Sequence, residues 1–346
     1  MPSGLFYHPI FLKHDTGWGH PERAQRLVAT LDEINRREEL KEVKIVTPNK
    51  ASTEDIKLNH NKSYIELIQN TSKMKGIKHL DPDTVVCSKS YESALYACGA
   101  TLQAVKSVYD GTYKNAFALV RPPGHHALSS RAMGFCLFNN IAIAAMYLKE
   151  KIGLEKIAIV DYDAHHGNGT QDSFYNSPEV LYISTHQFPY YPGTGSANEV
   201  GTGIGRGFNV NIPMNAYSGE SAYLLALEKV ISPIIYQFSP EFILVSAGYD
   251  GYYKDPLTQL LLTGDTFFKL SKAIVQIADD ICSSRVTFTL EGGYHLNGLS
   301  QGVVETLRAM VGLINPVPYP SETLNERDSG EEIKEVINIQ KAYWKL

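Results

Sequence analysis

Residues 156–171 read KIAIVDYDAHHGNGTQ, an apolar run that closes on Asp161, Asp163 and His165. The run 156–160 is predicted to be a buried strand of a parallel sheet, because strands covered on both faces carry near-continuous apolar, β-branched sequence. Side chains two apart on a strand lie on one side. Where the strand frays, Asp163 and His165 can therefore share one metal ion, with Asp161 standing behind them. Carboxylates with a neutral imidazole suit zinc, iron or manganese. A salt-bridged loop with a satisfied histidine accounts for the same residues equally well, and only the rest of the chain separates the two readings.

On either side of this run, strand-like and helix-like segments alternate, which predicts an α/β fold with a parallel sheet. The strand candidates are 44–48, 116–122, 156–161, 180–186, 208–213, 242–248 and 286–293, several of them ending in Gly, Pro, Asp or His. Helical spacing runs through 21–37, 90–111, 139–151, 221–238 and 266–281, with Pro21 suited to a first turn and Gly111 to a stop. The Gly-, Pro- and Tyr-rich stretch 188–207 is expected to be a long ordered surface loop. From about residue 320 a polar tail leads into an amphipathic terminal helix over 331–346, expected to pack on the domain surface. No linker or repeat interrupts the pattern, so residues 1–346 are expected to form one domain.

The charge balance of 32 Lys+Arg against 37 Asp+Glu, net -5, gives no footprint for nucleic acid or an anionic membrane and favours a cationic ligand. Cys87, Cys98, Cys136 and Cys282 form no Cys-x-x-Cys pair and are expected to be reduced and buried. No apolar stretch approaches a membrane span and the N-terminus lacks a signal-peptide pattern, so a cytoplasmic location is expected.

Four more strand-end motifs bear on the first. In RPPGHHA, the tandem His125-His126 follows a Pro-Pro-Gly turn that fixes both imidazoles by backbone, which suits acid–base work. In SAGYD, Asp250 can supply a second carboxylate ligand, although an Asp-Gly turn is the ordinary role for such a residue. In LEGGY, Gly292-Gly293 present Tyr294, a phenol able to donate to developing negative charge. In MGFCLFNN, Phe135 can wall a pocket, a buried aromatic being the plainer role.

Taken in order, HPER, DPDT, RPPGHHA, GFCLFNN, VDYDAHHGNGTQ, YPGTG, SAGYD and LEGGY resemble the arginase/deacetylase superfamily. Within it they are similar to the zinc-dependent histone deacetylases with their bacterial amidohydrolase and acetylpolyamine amidohydrolase relatives. The motifs cover about nine tenths of the chain and follow the class II pattern, with Asn139-Asn140 after GFCLF and Asn168 where class I usually has aspartate. The resemblance implies a single-domain fold with a central parallel sheet of about eight strands and helices on both faces. It implies a metal-dependent deacetylase, an amidohydrolase acting on N-acetyl or short N-acyl lysine, with an acetylpolyamine as the alternative substrate. By motif, Asp163, His165 and Asp250 would hold zinc, or Fe2+. His126 with its partner Asn168 would be general base and acid, and His125 with Asp161 would position water. Tyr294 would stabilise the oxyanion. A structural potassium would lie among Asp161, Asp163, His165, Ser184 and Thr185. Phe135 and Tyr191 would flank a narrow tunnel, with the Gly134 backbone at the scissile amide.

Departures from the pattern are Tyr249 before the metal aspartate, Tyr162 between the paired aspartates and His295 after Tyr294; none removes a ligand. Asp15, Asp81 and Asp83 are candidate rim acids, and His14 and His20 are candidates to shape the rim. The expected partners are an acetylated lysine peptide or protein, or an acetylated polyamine, and possible self-association as a homo-oligomer is left open. A two-manganese ureohydrolase would need more aspartates, and a silent acetyl-lysine reader would not need every ligand, both histidines and the tyrosine.

Overall fold

In the computed structural model, which describes residues 1–317 and 324–346, the strands are β1 Gly4–Phe6, β2 Lys44–Val46, β3 Lys78–His79, β4 Val85–Val86, β5 Ala116–Ala118, β6 Ile157–Asp161, β7 Val180–Gln187, β8 Asn209–Met214, β9 Phe242–Ala247 and β10 Val286–Leu290. Eight of them form one sheet in the order β2-β1-β5-β10-β9-β6-β7-β8, with every neighbouring pair parallel. β3 and β4 make a separate two-stranded antiparallel ladder. Every residue of β6, β9 and β10 is buried, and β6 and β9 accordingly open on near-continuous apolar runs, while β10 alternates apolar residues with buried Thr287 and Thr289. One group of helices is centred on Ser90–Tyr109 and Asn140–Tyr147; in a second, Leu296–Met310 packs on both Gln25–Asn35 and Gly264–Ile281.

All seven predicted strands form, and the sheet adds β1, whose three residues are too few to show a period. Gly111, at φ +76, stops the helix Ser90–Tyr109 as expected. The helix expected from Pro21 begins only at Gln25, because Glu22 is drawn into the interior, where Arg26 and Arg121 donate to its carboxylate and Thr16 to its carbonyl. The predicted helix 221–238 passes through a π turn, Leu227–Ile231, just before Pro233, whose missing N–H interrupts the regular ladder. The helices Lys62–Ser72 and Leu296–Met310 were not expected from the sequence. The stretch 188–207 is a loop apart from one 3-10 turn, Gly203–Gly205, and Glu199 braces it by accepting from Gly195 N and Ser196 N. The terminal helix is Gly330–Gln340 and packs beside the edge strand β8; the start of the tail near residue 320 lies outside the described residues. All four cysteines are buried and unpaired, and among the described residues no helix is long and apolar enough to cross a membrane.

Candidate active site

The neighbouring strands β10, β9 and β6 end side by side, at the carboxyl edge where open parallel sheets collect ligands. β6 delivers Asp161 and, two and four residues on, Asp163 and His165; the turn after β9 delivers Asp250. Backbone amides aim the carboxylates across the strands. Ala164 N donates to Asp250 Oδ1 at 2.9 Å and Gly292 N to Asp163 Oδ2 at 2.8 Å. Asp163, His165 and Asp250 are buried, with one ligand atom from each lying within 4.8 Å of the others. The same imidazole nitrogen, His165 Nδ1, stands 2.8 Å from Asp250 Oδ2 and 3.3 Å from Asp163 Oδ1. A Cβ on Gly248 would fall 2.1 Å from Asp163 Oδ2, and one on Gly292 2.4 Å from Asp250 Oδ2, so both positions need glycine to leave the carboxylates room.

Burial disfavours a charged His165, but Asp250 and Asp163 outweigh it and hold its pKa well above the ordinary histidine range. The cluster thus demands positive charge, and a dication held by two carboxylates and one imidazole satisfies it. The donor set therefore fits a divalent metal.

Above this triad stand the tandem histidines, their rings 4.1 Å apart. His125 Nδ1 pairs with Asp161 Oδ2 at 3.0 Å, and Tyr182 donates to the same oxygen. Burial opposes the charged form of His125, yet Asp163, Asp161 and Glu291 raise its pKa to about 10. His126 Nδ1 instead meets the neutral Asn168 Oδ1 at 2.8 Å. Burial, then the positive charges of His125 and His165, push the His126 pKa well below the usual value. One imidazole is held charged and its neighbour neutral, the pattern by which acid and base roles separate.

A cavity of about 350 Å³ opens onto His126 and His165, lined also by Asp83, Gly134, Phe135, Tyr190, Tyr191, Leu257 and Tyr294. Tyr191 meets His126 edge-on and Phe135 meets Tyr294 edge-on, which places both aromatic rings on the cavity lining. Gly134 sits at φ +57, and a Cβ there would come within 2.2 Å of His126 Cδ2. Burial holds the Tyr294 pKa well above the phenol range despite Arg26 nearby, so its hydroxyl stays a donor. Ser184 aligns with Asp161 in the β6–β7 register and bonds His186 Nδ1, while Thr185 Oγ1 donates to Asp161 O at 3.5 Å.

The expected rim needs correction. Of the three candidate acids only Asp83 lines the cavity. Asp81 is spent accepting from Asp83 N and Thr84 N, and Asp15 accepts from Gly17 N. His14 is buried, bonded to Ser90 Oγ, and shapes no rim, whereas His20 packs edge-on against Phe135. Tyr190 and Leu257 line the cavity without having been singled out. Tyr190 precedes Tyr191 in an aromatic loop that could have drawn attention; nothing local marks Leu257. Glu291 and Asp255 were also missed. Both are buried carboxylates that accept from backbone amides, Glu291 from Gly124 and His125 and Asp255 from Tyr294 and His295, with pKa values pushed up to about 7 by burial.

An eight-stranded parallel sheet with two aspartates, a histidine and a polarised histidine pair at its carboxyl edge defines a hydrolase of the arginase/deacetylase class. Comparison narrows the class. Residues 20–310 match the Histone deacetylase domain. The chain is 39% identical to a "Probable deacetylase" of Archaeoglobus fulgidus, over 100% of this chain and 99% of that protein. It is 36% identical to the "Polyamine deacetylase HDAC10" of Homo sapiens over its full length, which corresponds to 53% of that relative. The solved HDA15 HD domain superposes with a TM-score of 0.89 at 32% identity, covering 99% of this chain and 95% of that one. The chain belongs to the histone deacetylase family.

Proposed function

We propose that the chain hydrolyses the N-acetyl amide of an acetylated lysine side chain, releasing acetate and the free amine. The observation that carries this is the different partnering of the two histidines, His125 with the Asp161 carboxylate and His126 with the neutral Asn168 amide, beside the Asp163–His165–Asp250 triad on an aromatic-lined cavity. A divalent ion, zinc or alternatively Fe2+, would be held by Asp163, His165 and Asp250, and when bound would polarise the amide carbonyl and acidify water.

His126 accepts the proton of the attacking water at Nε2, its Nδ1 being engaged with Asn168, and returns it to the leaving nitrogen. His125, charged against Asp161, orients the water and stabilises negative charge. Tyr294 donates its hydroxyl to the developing oxyanion. Phe135 and Tyr191 enclose the alkyl chain, and the Gly134 backbone faces the amide. A monovalent potassium ion among Asp161, Asp163, His165, Ser184 and Thr185 would brace the two strand ends.

In Tyr294→Phe, metal content and KM are expected to stay near wild type while kcat falls by about a hundredfold, the usual effect of one lost oxyanion donor. Steady-state kinetics with metal analysis checks this; an unchanged kcat removes Tyr294 from the reaction.

A second reading, an acetylated polyamine as substrate, is favoured by Asp83, whose carboxylate at the cavity lining could pair with a distal ammonium. A peptide is favoured by an adjoining surface groove of about 570 Å³ that shares Asp83 and Phe135 with the cavity and is lined by Ile77, Val85 and the fully exposed Trp18, leaving room for flanking residues. The kcat/KM of an acetyl-lysine peptide is therefore expected to exceed that of acetylputrescine. A tenfold preference for acetylputrescine, about 1.4 kcal/mol of transition-state binding, reverses the assignment.

A further inference from the structure

Tyr294 stands on a turn with little stiffness of its own. Two glycines precede it, Gly293 at φ +117, and the next helix begins only at Leu296. What holds it comes from a different strand end. Asp255, in the loop after β9, is 7% exposed and directs its carboxylate at three backbone amides. Tyr294 N donates to Oδ2 at 2.7 Å and His295 N to the same oxygen at 3.0 Å, while Leu257 N donates to Oδ1 at 3.0 Å. The loop is itself anchored: Asp255 N donates to Tyr252 O at 2.7 Å, and the Tyr252 ring stacks on His295 at 5.2 Å and 24°. One oxygen shared by two successive amides fixes the direction of the turn. The same carboxylate also joins Tyr294 to Leu257, two residues that line the cavity.

We propose that Asp255 is a positioning residue for the reaction: it never touches substrate, but sets the Tyr294 turn so that the hydroxyl meets the oxyanion, and couples that turn to Leu257 at the cavity lining. The inference rests on the oxyanion role of Tyr294. It differs from a general structural role in one respect. Its effect must vanish when the hydroxyl is absent.

The test is a double-mutant cycle on the metal-loaded enzyme with an acetyl-lysine peptide, using Asp255→Ala, Tyr294→Phe and the pair. Misplacing a catalytic group by about an ångström costs up to roughly a hundredfold, so Asp255→Ala is expected to lower kcat by about tenfold or more with metal content unchanged and KM within about threefold. In the Tyr294→Phe background the same change should cost less than about twofold, because sites acting through one group are not additive. Asp255→Asn, which keeps an oxygen for the Tyr294 and His295 amides, should recover most of the loss. If Asp255→Ala does not fold, the cycle is run with Asp255→Glu, which keeps the charge and moves it, under the same criteria. An equal loss in both backgrounds, a loss confined to KM or metal content, or no loss at all overturns the proposal. An unaffected Tyr294→Phe overturns the oxyanion reading and this proposal with it, whereas a slow Tyr294→Phe with an unaffected Asp255→Ala overturns this proposal alone.

Discussion

Asp163→Ala should lose metal and turnover together. The side chain is buried, supplies one of the two carboxylates that meet at His165 Nδ1 among the described residues, and is itself aimed by Gly292 N. Removing it leaves a neutral imidazole and a single anion, a poor site for a dication. Because metal polarisation of a carbonyl is worth several kcal/mol, turnover should drop on the order of a thousandfold or more. Asp250→Asn should behave alike, since the amide keeps the shape and loses the charge. Elemental analysis of purified protein beside the kcat of the same preparation checks both variants. Full metal occupancy with wild-type rate in either one removes that aspartate from the ligand set.

The second large effect should come from the histidine pair. His126→Ala is expected to lower kcat by about a thousandfold, within the range of general acid–base catalysis, with metal retained. His125→Ala should leave more residual turnover, because its charge assists the reaction without carrying the proton. The sign of the pH effect follows from the environment. His126 is held below the ordinary histidine range by burial and by the charge of His125, so the neutral, proton-accepting form prevails at neutrality and is lost only as pH falls through that lowered value. The acidic limb of kcat/KM should therefore lie below the ordinary histidine range in the wild type and flatten in His126→Ala. A more damaging His125→Ala would exchange the two roles.

How much of this could be read from residues alone depended on how local each signal was. The strands β6 and β9 were plain because burial on both faces leaves a near-continuous apolar run, and β10 because β-branched and aromatic residues fill it; each ends in a motif whose chemistry is stated within a few residues. The helix Leu296–Met310 was hidden by Gly298 and Gly302, which ordinarily argue against a helix. Here a Cβ at Gly298 would fall 2.4 Å from the Tyr252 ring and one at Gly302 2.1 Å from the Tyr249 ring, so the glycines are packing choices made by a distant strand end. That Asp163, His165 and Asp250 would come together, with His125 and His126 nearby, could be anticipated because ligand chemistry restricts residue type. The rim could not. Asp15, Asp81 and Asp83 look alike in sequence, and only the folded loop shows that Asp81 is consumed by its own turn while Asp83 lines the cavity. Asp255 and Glu291 stayed silent for the same reason: the amides of the histidine and tyrosine turns that they bind lie far along the chain, and such contacts leave no mark on residue identity.

The aspartates that converge on His165 lie on strands adjacent in the sheet but remote in the chain, the bond from Ala164 N to Asp250 spanning 86 residues. No fragment that stops short of β9 can assemble the centre. Such non-local pairing is slow to form, so the cluster comes together late in folding, after the central strands have docked. A cation that bound only the finished sheet would draw the folding equilibrium toward it by mass action, so that the free-ion concentration would set the folded fraction as well as the rate.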